Sequence, residues 1–303
     1  RRVLFRSCGS SANDQSSEPA KSSDKVVVYM PSPTTLDDKL AADFTKKTGI
    51  KVEQFQGTTG QIMARLEAEK GNPQADVVIL ASWSDGLALK KQNSLMAYQP
   101  KDDDKLIPEW KDNDHMMYGT SASAVGVIYN TSVFPKLDAD WDELATNPAY
   151  KNQMVIPDLK KSGSCKDFIN GWITAKGDDG WKILQEMAAQ DMHVRGANKA
   201  ALESVLTGEK GILIAGVDYN AFSSMKKGEP IAIYYPKGGT VVNPRPAMIM
   251  KTAPDQESAK TRSIERLLRV TVAKHKTAQS EEKFYKQPGG TEKRQLGKAA
   301  ADV

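Results

Sequence analysis

Cysteine and histidine are scarce in this chain of 303 residues: Cys8 and Cys165 are the two cysteines, and His115, His193 and His275 the three histidines. Two cysteines cannot build a disulfide framework, and a bridge between them is not expected. The histidines are scattered over a turn, a strand and a polar tail and read as structural. HExxH, GxSxG, GxxxxGK[ST] and GxGxxG are all missing, so zincin, serine-hydrolase, nucleotide and dinucleotide readings lack their mechanical parts. No apolar run approaches the roughly 18 residues that cross a bilayer as a helix. A basic surplus over the body is missing too, although the formal charge is +4. Arg1, Arg2 and Arg6 stand at one end, and 260–303 holds 11 Lys/Arg against 5 Asp/Glu; taking both ends from the totals of 42 and 38 leaves 28 basic and 33 acidic residues, a body of −5. No nucleic-acid partner is expected of such a surface. The run Asp102-Asp103-Asp104 reads as a solvated face and not as a metal cluster.

What the chain does have is concentrated between Lys25 and Leu80. The apolar run Val26-Val27-Val28-Tyr29 reads as a strand. The loop Met30–Thr35 follows, and then Leu36, Leu40 and Phe44 stand four apart, as on a helix, with Thr35 as its cap and Thr48-Gly49 as its stop. The unit repeats. Ile50, Val52 and Phe55 alternate as a strand, Gly57-Thr58-Thr59-Gly60 forms a polar loop, and Ile62, Met63 and Leu66 mark a helix. A third strand, Val77–Leu80, ends in Ser82-Trp83-Ser84-Asp85. Three successive βα units predict a parallel sheet covered on both faces, with ligands at the carboxyl ends of the strands. That is where the hydroxyl-rich loops with Ser32, Thr58, Thr59, Trp83 and Ser84 lie.

Further on, Tyr118–Asn130, with Ser121 and Ser123 near its start, reads as a long strand crossing from one lobe into a second. Met154-Val155-Ile156 is a strand closed by Pro157. Ser162-Gly163-Ser164 opens a helix marked by Phe168, Ile169, Trp172 and Ile173, so its free amides make a prepared anion site. Cys165 there reads as a small buried side chain. Asn198 is placed as the cap of a helix carrying Leu202, Val205 and Leu206. The buried run Gly211–Val217 delivers Asp218-Tyr219-Asn220 at its carboxyl end. Ile231–Tyr235 and Met248–Met250 are later strands, the second after a rigid Asn243-Pro244-Arg245-Pro246, and one of them is expected to return to the first lobe. The length itself favours two lobes.

The ends differ from the body. Cys8 is followed by Gly9-Ser10-Ser11 and a Ser/Asp/Lys/Gln stretch that cannot bury enough surface to fold. Phe5-Arg6-Ser7 before it lacks the small residues of a lipidation motif, so Arg1 to Ser7 does not read as a native leader. After 260 the apolar period decays, which reads as a disordered tail.

Val28-Tyr29, Phe44–Val52, Ala75-Asp76-Val77-Val78 and Gly126–Thr131 resemble, in that order, the solute-binding proteins of bacterial ABC importers, in particular the ferric-iron-binding type (family 1). So do Ser162-Gly163-Ser164 with Asp167-Phe168, Ile233–Lys237, and Asn243 before Ala247-Met248-Ile249. The resemblance covers about 25–260. It implies an α/β, type II periplasmic-binding-protein fold, each lobe a mostly parallel sheet flanked by helices, with the ligand in the cleft and closure by hinge motion. The expected division is a leader remnant and tether over 1–24, a first lobe over 25–121 plus 237–260, a second over 122–236, and the atypical tail over 261–303.

Iron-binding members present paired tyrosines and a His ligand; here Tyr219 has Asn220 beside it and Ser32 stands in the first loop. The resemblance therefore implies a small anionic solute, namely a phosphonate, a phosphate ester or a ferric–anion complex. Its expected ligands are Ser32, Thr58, Thr59, Trp83, Ser84, Ser121, Ser162, Gly163, Ser164, Asn198, Asp218 and Tyr219. Tyr219 is the metal ligand only if ferric iron is carried, and ferric iron would then be transported cargo, with no cofactor expected. A monomer without catalytic activity is expected, partnered by the permease subunits and held by lipid on Cys8 at the periplasmic or extracellular face of the cytoplasmic membrane. Alternatives are a ferric-iron-binding protein and a transferase on the same two lobes, which would need a cofactor-bearing cysteine and an arginine-lined cleft. A LysR-type regulator shares the effector fold, but its DNA-binding domain does not fit in the 24 residues before Lys25.

Overall fold

A computed structural model describes residues 25–31, 34–100 and 103–253. Cys8, Ser32, the tether and the tail over 261–303 lie outside the described residues.

The first three units form as their apolar spacing predicts. Strand β1 (Lys25–Met30), helix α1 (Thr34–Thr48), β2 (Lys51–Gln56), α2 (Thr59–Ala68), β3 (Val77–Ile79) and α3 (Trp83–Lys91) succeed one another. β1 pairs in parallel with both β2 and β3. Gly49, at φ +76°, ends α1 in the left-handed conformation that a Cβ disfavours. Thr35 falls inside α1 and not before it, because the helix begins one residue earlier. The short β4 (Leu95–Met96) and two single 3-10 turns (Asp103–Lys105, Pro108–Trp110) lead to β5 (Tyr118–Asn130). In the first of these turns Asp103 faces Lys111 at 3.0 Å, so the acidic run is partly paired and not simply a solvated face.

The second half repeats the alternation. It runs through α4 (Trp141–Thr146), β6 (Met154–Pro157), α5 (Gly163–Lys176), α6 (Asp178–Ala189), β7 (His193–Arg195), α7 (Asn198–Leu206), β8 (Ile212–Val217), α8 (Asp218–Lys226) and β9 (Ile231–Tyr234) to β10 (Val242–Met250). β6 pairs in parallel with β7 and β8.

Both sheets bury alternate residues on opposite faces, as strands covered by helices must. Val26, Val28 and Met30 pack with Phe44 on one face, while Tyr29 joins Ile62, Val78 and Leu80 on the other. Ile212 and Ile214 pack with Trp141, Phe168 and Trp172, whereas Leu213 joins Ile128, Val155 and Val205.

The two long strands belong to both halves. The first part of β5, from Tyr118 to Ala124, pairs antiparallel with β10, and its second part pairs with β8 and β9. β10 also borders β3 and β4. Both crossing points are irregular. The β5–β10 register shifts between Pro244 and Pro246, which have no N–H to give the ladder. The β5–β8 register shifts between Gly126 and Ile128, opposite Ala215, which is held at φ +56°. A bulge bends a strand and loosens its pairing, so the bending points lie in β5, β8 and β10. The rigid segment expected ahead of the last strand is thus part of it: β10 tolerates two prolines because they sit at the irregularity.

Candidate functional site

Each strand that ends toward the cleft delivers a helix start. Thr58 caps α2 reciprocally with Gln61, the Gln61 N–H donating to Thr58 Oγ1 at 3.2 Å and the Thr58 N–H to Gln61 Oε1 at 2.8 Å. Ser82 caps α3 and Ser162 caps α5, each accepting from the N–H three residues on, at 3.0 and 3.1 Å. The three starts meet. A Cβ on Gly163 would stand 2.8 Å from Thr59 Oγ1 and 2.9 Å from Ser82 Cβ, and a Cβ on Gly60 would stand 2.2 Å from the Lys160 carbonyl oxygen. Glycine at these two positions lets backbone from opposite lobes touch. Three helix N-termini brought together carry first-turn N–H groups that have no helical acceptor and the positive end of each dipole, which favour negative charge.

A carboxylate is already there. Asp167, in the second turn of α5, accepts from Ser82 Oγ at 2.9 Å, Ser84 Oγ at 2.6 Å and the Trp83 N–H at 2.6 Å, all at the start of α3 in the other lobe. Its neighbour Lys166 pairs with Asp85 across the same gap. Asp167 is 8% exposed. Burial pushes its carboxyl above the ordinary 3.8, opposed by the hydrogen bonds from Ser84, Ser82 and the Trp83 N–H.

Behind the α5 start, Ser162 Oγ donates to Asn198 Oδ1 at 2.6 Å, Asn198 Nδ2 donates to Ser164 Oγ at 3.0 Å, and Asn243 Nδ2 donates to the Ser164 carbonyl at 3.0 Å. Asn198 is the first residue of α7 and not its cap; Ala197 holds that position with no side-chain cap bond. The amide is turned toward the two serines, which take both of its ends.

On the hinge side, Asp218 accepts from the Ala124 N–H at 3.0 Å and from the Tyr219 N–H at 2.7 Å. Burial raises its carboxyl, opposed by these two N–H groups and by the charge of Arg245. Arg245, 5% exposed between the two prolines of β10, donates to Tyr219 Oη at 2.9 Å, its guanidinium 5.0 Å from the centre of that ring. Ser121 lies half-buried on β5.

Residues 39–261 match the family described as bacterial extracellular solute-binding protein. The chain belongs to that family. It is similar to iron uptake protein A1 of Synechocystis, 24% identical over 273 residues, spanning 84% of this chain and 74% of the relative. It superposes on the periplasmic binding protein AfuA of Actinobacillus pleuropneumoniae with fructose-6-phosphate bound, at a TM-score of 0.74 and 20% identity over 86% of this chain and 82% of the other. A Trichodesmium protein in complex with iron and citrate gives 0.64 and 21% over 82% and 84%. The expected two-lobed periplasmic-binding-protein fold stands, as does the assignment to the solute-binding proteins that serve ABC importers. Such proteins work in the periplasm or outside the cell, and no helix among the described residues is long and apolar enough to cross a membrane.

In this solute-binding protein the described expected ligands other than Ser121 fall into two groups. Thr59, Ser162, Gly163, Ser164 and Asn198 meet at the α2 and α5 starts, with Thr58 one residue away and with Trp83 and Ser84 linked to them through Ser82 and Asp167; Asp218 and Tyr219 stand with Arg245 by the crossing strands. Two residues were given no role from the sequence. Asp167 was read with Phe168 as part of the family motif that follows Ser162-Gly163-Ser164, but was not counted among the ligands. Arg245 was hidden by the prolines that made its strand look like a loop. Cys165 is wholly buried, donates Sγ–H to the Pro157 carbonyl at 3.3 Å, and has its thiol pushed up to about 12 by burial and then by Asp158. Among the described residues no three His, Cys, Asp or Glu side chains cluster as metal ligands.

Proposed function

We propose that this solute-binding protein captures a small organic anion, a phosphate ester, a phosphonate or a ferric–anion complex, between its lobes and presents it to the permease as a monomer without catalysing a reaction. The observation that supports this is the convergence of the α2, α3 and α5 starts, with hydroxyls at Thr59 and Ser164 beside it and with Gly60 and Gly163 letting the backbones of the two lobes approach. Buried N–H and hydroxyl donors of this kind hold an anion by charge-assisted hydrogen bonds of about 1.5–3 kcal/mol each.

The likeness to an iron uptake protein favours a second reading, ferric iron on Tyr219. Against a bare ion, the Tyr219 oxygen already accepts from the Arg245 guanidinium, which puts a positive charge beside it. Iron with an organic anion fits better. Transferase chemistry would draw on Cys165, which is buried as the thiol. Cys8 is proposed as the lipid attachment point; the mass of the membrane-extracted protein checks it.

Calorimetric titration with a hexose phosphate, an alkylphosphonate, ferric citrate and ferric nitrilotriacetate tests the ligand class. Binding of one of the first three is expected. Tight binding of iron stripped of its chelator, with none of the organic anions bound, overturns the reading.

A further inference from the structure

We propose that Asp167 is an interlobe latch: its carboxylate, carried by the second lobe and seated on the start of α3 in the first, holds the lobes together and thereby sets how much of the protein is closed before any solute arrives.

All three hydrogen bonds of Asp167 cross between the lobes. Oδ1 takes the Ser82 and Ser84 hydroxyls, and Oδ2 takes the Trp83 N–H. A carboxylate at a helix start meets both the free N–H groups and the positive end of the dipole, and it does so here with 8% exposure, where water screens little. The surroundings fit a contact that forms and breaks as a unit. Ser82 keeps its cap bond to the Asp85 N–H while donating to Asp167, so α3 remains capped when the lobes part. Lys166 and Asp85 pair beside it across the same gap, and Asn170 Nδ2 reaches Ser84 Oγ at 3.3 Å. Asp167 lies outside the elements that bend, since the register shifts are in β5, β8 and β10.

Affinity depends on this device because a solute bound by the closed form is held in proportion to the fraction closed. A latch raises that fraction for every solute alike and slows release, while lowering the rate of entry. Asp167 is therefore a positioning residue for capture and need not touch the solute. The inference rests on the two-lobed fold and not on the proposed ligand class.

The test uses the purified protein with no solute. Small-angle scattering is expected to give a compact particle for the parent and a larger radius of gyration for Asp167→Ala, whose closed-to-open ratio falls by about tenfold or more. Amide exchange at Trp83 is the local readout. Its N–H donates to Asp167, so it should lose protection in the variant, while the Asp85 N–H, capped by Ser82, keeps its own. A role confined to the stability of α5 would not single out Trp83. Should Asp167→Ala fail to fold, Ser84→Ala removes one of the three bonds to Asp167 together with the Asn170 and Ser82 contacts of Ser84, and is expected to give a smaller change in the same direction. Equal radii and equal Trp83 exchange in the parent and in whichever variant folds overturn the latch, whatever the protein binds.

Discussion

Replacing Gly60 by Ala separates closure from folding. Gly60 is the second residue of α2, and its missing Cβ would stand 2.2 Å from the Lys160 carbonyl oxygen and 3.2 Å from Lys161 Cα, both on the other lobe. Within its own lobe the change is mild. Alanine favours helix over glycine by up to about 1 kcal/mol, so the first lobe should melt no lower and as much as about 2–4 °C higher. Closure is another matter, because the obstacle is backbone and has to retreat by about 1 Å. Overpacking of this kind costs about 1–3 kcal/mol, which weakens a solute held by the closed form roughly five- to hundredfold. Melting followed by circular dichroism, scattering and calorimetric titration with the solute that binds the parent measure the three effects separately. Gly71→Ala is the control, since nothing lies within 4 Å of the added carbon. Parent-like affinity in Gly60→Ala, with an intact fold and an unchanged radius, would falsify the idea that solute is held with the α2 start against the Lys160 segment.

How much of this was legible beforehand follows from what each residue's neighbours are in sequence. Val26, Val28 and Phe44 announce a buried βα unit because their partners are fixed by local period, and so do Phe168 and Trp172 on α5. Of the three capped helix starts, Ser162 was read as one, while Thr58 and Ser82 were read as loop residues, although each cap is a contact with the N–H three residues on. Asn198 misled because an amide ahead of an apolar helix usually caps it; here Ser162 and Ser164, 36 and 34 residues away, compete for it. Asp167 and Arg245 lie further from sequence logic still. Their partners are 83 to 85 residues away in one case and 26 in the other, across a gap that only the assembled lobes create. The chain spells the elements and their caps, while the contacts between lobes depend on where β5 and β10 bend.

The remaining predictions concern the α5 start and the charge between the lobes. Ser162→Ala strips the cap from the Cys165 N–H and a donor from Asn198 Oδ1 at a site 3% exposed, so unfolding free energy should fall by about 1–2 kcal/mol in a urea titration; an unchanged midpoint would refute the assignment of Ser162 as cap. Cys165, its thiol pushed up to about 12, should resist N-ethylmaleimide at neutral pH in the native protein, and peptide mapping that finds it alkylated as fast as a free thiol would contradict its burial. The pH dependence of closure follows from Asp167. Its carboxyl is raised above 3.8 when the lobes meet, by burial first and with the charge of Asp85 adding, while the hydrogen bonds from Ser84, Ser82 and the Trp83 N–H pull the other way. A group whose value is raised by an association binds its proton more tightly in the associated form, so it favours that form below about 3.8 and loses the advantage as pH climbs through the raised value. Asp103 and Asp114 shift downward and act oppositely on stability, but they face Lys111 and Lys90 in the first lobe and do not enter the contact. Closure should accordingly strengthen as pH falls through that raised value toward about 3.8. Scattering should show the parent contracting over that window while Asp167→Asn, with no proton to take up, stays constant; a contraction of equal size in both would assign the effect to another group.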